Sequence, residues 1–132
     1  MLPDRSGKQQ MEHKMFSDAV LDHFKNPRNA GELENATVTV EVTNPVCADV
    51  LRLAARVEGG RFAEVRFQVR GCVTSIACGS LLTEMIAGRT PAEARVITYE
   101  QISATLGGLP PATLHGAQLA RDALEELLAK LD

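Results

Sequence analysis

Residues Leu51–Arg70 read LRLAARVEGGRFAEVRFQVR. Leu51, Leu53, Ala55 and Val57 alternate with Arg52, Ala54 and Arg56. After Gly59-Gly60, Val65, Phe67 and Val69 alternate with Glu64, Arg66, Gln68 and Arg70. Successive side chains of a strand point to opposite faces, so a period of two predicts one buried and one wet face. The two glycines tolerate the positive φ that a tight turn requires, which makes the stretch an antiparallel hairpin. Upstream, Val38, Val40 and Val42 alternate with Thr37, Thr39 and Glu41 and supply a third strand.

On either side the pattern turns helical. Ser17 is a helix cap, with Phe16 and Leu21 at the spacing of a hydrophobic staple. Val20, Leu21 and Phe24 then form an apolar face, and Asn26-Pro27 ends the run. After the sheet a helix is predicted from about Ser75 to Ala87, with Gly88 as its C-terminal cap. Thr90-Pro91-Ala92-Glu93 and Thr98-Tyr99-Glu100-Gln101 have capping-box spacing and open two short helices. Gly107 to Pro111 is a break, and a last helix buries Ala120, Leu124, Leu127, Leu128 and Leu131. Strands followed by helices predict an α+β fold: a three-stranded antiparallel sheet covered on one face by helices.

The chain has 132 residues, enough for one domain, expected over 15–132 behind a flexible leader at 1–14. A net charge of −3 and the absence of Trp, with only four Phe and one Tyr, argue against nucleic-acid partners. No apolar run approaches the ~18 residues of a membrane span, and Met1–Lys14 lacks the apolar core of a secretory signal. A cytoplasmic chain with no membrane partner is expected.

Three cysteines are an odd number for a disulfide framework, and their spacing is not that of a zinc ribbon. Cys47 lies in the turn Asn44-Pro45-Val46-Cys47-Ala48-Asp49; if its end is extended, Cys47 and Asp49 project to the same side. Cys72 falls where the third strand yields to a helix, whose unpaired N–H groups favour a thiolate. His115 follows the Pro-Pro break at the start of the last helix. Each residue also has a plain reading. A free cysteine is often a small buried hydrophobe, Asp49 could satisfy turn backbone, and His115 could be a surface or capping group. Cys78 stands in a core stripe with Leu81, Leu82 and Met85 and reads as packing. His23 and His13 have no chemistry-bearing neighbours in the sequence.

The motifs together resemble the IscU/NifU N-terminal family of iron–sulfur cluster assembly scaffolds. Asp22 to Gly31 (DHFKNPRNAG) is similar to the family's opening helix and turn. Asn44 to Asp49 resembles its first ligand loop, Gly71-Cys72 with Ser75 to Glu84 its second, and Leu109-Pro110-Pro111 with Leu114-His115 its third. By that resemblance Cys47, Asp49, Cys72 and His115 fall on cluster-site positions, and the family's fold is the α+β arrangement already expected. Three departures stand out. Gly116 occupies the place of the third cysteine, and Ala48 that of a glycine between Cys and Asp. The family's Pro-Pro-Val-Lys segment reads Pro110-Pro111-Ala112-Thr113, so its chaperone partner is not implied.

What the resemblance implies is a scaffold rather than an enzyme. It would bind iron or a labile [2Fe-2S] cluster, take sulfur from a cysteine desulfurase and pass the cluster to apo acceptor proteins, with Asp49 as the exchangeable ligand. The same four side chains also make a mixed tetrahedral set for zinc, as a persulfide acceptor would use. A degenerate docking module without metal chemistry is the third reading. A thiol enzyme built on Cys72, His115 and Asp49 lacks any sequence feature for an oxyanion pocket.

Overall fold

The computed structural model describes residues 16–132. The leader expected over Met1–Lys14, and His13 within it, lie outside the described residues. The elements run α1 (Asp18–Lys25), β1 (Val38–Thr43), β2 (Val50–Glu58), β3 (Arg61–Arg70), α2 (Val73–Ile86), α3 (Pro91–Arg95), α4 (Tyr99–Thr105), a 3-10 turn (Pro111–Thr113) and α5 (His115–Leu131). The strands form one antiparallel sheet in sequence order. Its register sets Val42, Leu51 and Val69 abreast, then Val40, Leu53 and Phe67, then Val38, Ala55 and Val65. These three rows are the apolar face inferred from the alternation. Gly59 and Gly60 turn the hairpin at φ +59° and +77°. Ala54, expected on the wet face, is buried and lines a cleft with Gly31, Glu32 and Leu33, the segment entering β1.

Helix α2 packs on β3, α1 and α5, while α5 covers β1 and β2. Most of α2 is buried, so it shows no polar stripe and its hydrophobic period is weak. The helix starts two residues earlier than the sequence suggests. Both capping boxes form, at Thr90 with Glu93 and at Thr98 with Gln101. No helix among the described residues is long and apolar enough to cross a membrane.

Helix α1 departs from expectation. Val20 is buried, but Phe24 is 37% exposed and His23 takes the inward place instead. Ser80 Oγ accepts the Arg28 N–H at 2.8 Å and is hydrogen-bonded to His23 Nδ1 at 2.7 Å. The remaining ring nitrogen, Nε2, faces Glu84 at 3.6 Å. Burial pushes the His23 pKa down, Arg28 adds to the effect, and Glu84 and Asp22 only partly oppose it. The folded protein therefore binds protons less readily than the unfolded chain, whose histidine titrates near 6.5. Stability from this contact is complete above that pH and is lost as pH falls below it. Urea unfolding is expected to show a constant midpoint from about pH 8 to 7 and a declining one below about 6.5. His23→Gln should flatten that slope; an unchanged slope would show that His23 is not its source.

Candidate metal centre

Thr43, Val50 and Arg70 lie abreast at one end of the sheet. The loop leaving β1 for β2 and the step from β3 into α2 therefore emerge side by side. The loop is closed by its own backbone: Asn44 N–H donates to Asp49 O and Ala48 N–H to Asn44 O, each at 2.8 Å. The buried Asn44 side chain accepts from Val46 N–H and Cys47 N–H at 2.8 and 3.2 Å. An asparagine that replaces a turn of backbone in this way lets Cys47 stand out into solvent.

The route by which Cys47 and Asp49 reach a common point differs from the extended one expected. Ala48 adopts φ +61°, the left-handed region. Glycine reaches that region without strain, whereas an L residue with a Cβ meets a cost of about 1–2 kcal/mol. Ala48→Gly is therefore expected to stabilise the fold by about 1 kcal/mol, after the extra freedom of glycine in the unfolded chain is subtracted. Chemical denaturation of the two chains checks this, and a less stable glycine variant would contradict it.

Cys72 is the N-cap of α2 and its thiol is exposed. Its N–H donates to Asp49 Oδ2 at 3.2 Å, and Ser75, one turn along, donates its hydroxyl to the same oxygen at 2.7 Å. Burial of Asp49 works to raise its pKa, but the hydrogen bonds from Ser75 and Cys72, with His115 nearby, prevail and hold the carboxyl below its ordinary value. The third contributor comes from the far end of the chain. The 3-10 turn Pro111–Thr113 follows the Pro-Pro break and delivers His115 as the first residue of α5. Its Nε2 lies 3.6 Å from Cys72 Sγ and 3.9 Å from Asp49 Oδ2.

All four sequence-derived candidates thus meet at one end of the sheet. Cys47, Asp49 and His115 each offer a ligand atom, and the three atoms lie within 4.8 Å of one another. Tetrahedral zinc with bonds of ~2.0–2.3 Å sets its ligand atoms about 3.3–3.8 Å apart, close to the separations seen around His115. These three can share one ion with little movement, and Cys72 Sγ borders them at 3.6 Å from His115 Nε2. The carboxylate forms the buried floor and the two thiols the open rim.

Cys78 is not a substitute for a third thiol. It is fully buried, and that burial pushes its pKa up to about 12, so it stays a protonated packing group. Gly116 is buried as well, and a Cβ built on it would lie 3.0 Å from the Thr74 methyl and 3.2 Å from the α2 backbone at Ser75 N. A side chain at 116 therefore fits only if these neighbours give by a few tenths of an ångström. Sequence reasoning missed Asn44, Gly71 and Ser75. The signals were an Asn-Pro turn, a glycine directly before a candidate ligand, and a serine in the same helical turn as Cys72.

A family model described as the NifU-like N terminal domain matches residues 15–131. The chain belongs to that family. Among relatives of this NifU-like domain, iron-sulfur cluster assembly scaffold protein IscU 1 of Archaeoglobus fulgidus is 43% identical over 114 residues, spanning 86% of this chain and 74% of that protein. The scaffold protein IscU of Azotobacter vinelandii is 42% identical over 114 residues, covering 83% of this chain and 88% of the relative. Among solved structures, the NifU-like domain is similar in fold to a putative iron-sulfur cluster assembly scaffold protein for the SUF system from Fervidobacterium islandicum. The TM-score is 0.71 at 24% identity, over 88% of this chain and 98% of that one.

Proposed function

We propose that this protein is an iron–sulfur cluster assembly scaffold that holds iron or a labile [2Fe-2S] cluster on Cys47, Asp49, Cys72 and His115 and releases it to acceptor proteins. The observation that carries this reading is the convergence of two exposed thiols on a buried carboxylate and an imidazole at the open end of the sheet. Soft thiolates suit iron and sulfide, whereas a carboxylate oxygen is a poor partner for a cluster and exchanges more readily. Two thiolates rather than three make the cargo easier to lose. The names of the IscU relatives support the same function. Sulfur would come from a cysteine desulfurase, and the acceptors would be apo iron–sulfur proteins.

Anaerobic reconstitution with iron and sulfide tests this reading. A visible chromophore is expected that decays under chelator and does not form in Cys72→Ser. A cluster that survives for days in chelator, or a chromophore indifferent to Cys72 and Cys47, would contradict it.

A second reading has one observation in its favour: the contacts around His115 match the ligand spacing of a single ion. In that reading the ion is zinc and an exposed thiol receives persulfide sulfur from the desulfurase. Zinc in the purified protein, persulfide uptake lost in Cys72→Ser, and no iron chromophore under any condition would select it.

A further inference from the structure

Ser75 is fully buried in the first turn of α2, with the apolar Ala77 and Cys78 beyond it. A buried hydroxyl without partners is costly, and the two partners that the Ser75 hydroxyl has among the described residues belong to the candidate metal centre. It lies 2.7 Å from Asp49 Oδ2 and 3.4 Å from Cys72 Sγ. The direction of these contacts follows from counting hydrogens. An ionised carboxylate has none to give, so the hydroxyl donates to Asp49 and turns a lone pair toward the sulfur. Together with the Cys72 N–H, it gives Oδ2 two donors, and this held oxygen is the one that lies 3.9 Å from His115 Nε2.

We infer that Ser75 is a positioning residue of this centre, acting through Asp49 to clamp the carboxylate where it can share an ion with Cys47 and His115. This rests on the reading of the four residues as a metal-binding site. Partners that orient a ligating carboxylate are worth about 10–100-fold in metal affinity. The hydroxyl does not touch the ion, so its effect should exist only while Asp49 is present.

The experiment is a double-mutant cycle in the full chain, with zinc affinity measured by competition against a chromophoric chelator and the melting temperature of each metal-free variant recorded. Ser75→Ala should weaken zinc binding about 10–100-fold, with a lower metal-free melting temperature as a separate effect of the hydrogen bond lost from the buried carboxylate. Asp49→Ala should weaken it at least as much. The double variant should match Asp49→Ala within about threefold, because residues acting in series are not additive. Equal zinc affinity in Ser75→Ala and wild type would overturn the inference alone. So would an equal loss from Ser75→Ala with and without Asp49, and a lowered melting temperature with unchanged affinity would assign Ser75 to packing. Wild-type protein that takes up neither zinc nor iron would overturn the metal-site reading and the inference with it.

Discussion

Gly71→Ala is expected to weaken zinc or iron binding by about 10–100-fold and to cost about 1–3 kcal/mol of stability. The reason is a close approach that no other residue permits. Gly71 follows β3 directly, Asp49 precedes β2, and their neighbours Arg70 and Val50 are paired in the ladder. A Cβ on Gly71 would lie 2.5 Å from Asp49 Cγ, 2.7 Å from Oδ2 and 2.9 Å from Asp49 Cβ. Rotating the carboxylate relieves the first two contacts and breaks the hydrogen bonds from Ser75 and Cys72. It does not relieve the third, because Cβ moves only with the backbone. Either Asp49 leaves the centre or the ends of β2 and β3 part, and both outcomes remove the floor of the site. Zinc competition and thermal melting of the metal-free variant read the two effects separately. An alanine chain that binds metal as tightly as wild type would show that Asp49 is not needed where it stands.

Gly116→Cys supplies the thiol that the family resemblance places after the histidine, yet it is not expected to restore a fully formed site. A loss of about 1–3 kcal/mol is predicted, as for other insertions into packed interiors. The new Cβ would press on the Thr74 methyl at 3.0 Å and on backbone atoms of Thr74 and Ser75 at 3.2 Å. Thr74→Ala in the same chain removes the methyl and should recover part of the loss, but the backbone contacts remain. Since Ser75 holds Asp49, displacement of the α2 N-terminus reaches the carboxylate too. The third thiolate should still slow loss of cluster to chelator relative to wild type, being a softer ligand than an oxygen. Urea unfolding of wild type, Gly116→Cys and Thr74→Ala/Gly116→Cys measures the first effect, and chelator-driven loss of absorbance the second. A cysteine variant as stable as wild type would mean that α2 and α5 are less tightly apposed than their contacts indicate.

The sheet was legible because its signal is local. Alternation along Leu51–Arg70 and Val38–Val42, with Gly59-Gly60 between two of the runs, leaves one way to put apolar side chains on one face. The same holds for the capping boxes at Thr90 and Thr98, where three or four residues contain the whole interaction. Helix α1 was read less well. His23 is polar by type, so its burial depends on Ser80, which lies on another helix. Helix α2 is buried on nearly all sides, which removes the period from which a boundary could be read.

The sequence by itself determined the α+β order and the identity of the four side chains, and resemblance brought those four together as a candidate site. Only the tertiary structure decided how they meet. Cys47 and Asp49 share a point through the left-handed turn at Ala48, and His115 arrives beside Cys72 from 43 residues away. Distances of this kind arise from packing between elements, which no local pattern encodes. The same is true of the space at Gly116 and the clearance at Gly71: each is a gap between two chain segments and exists only once both are in place.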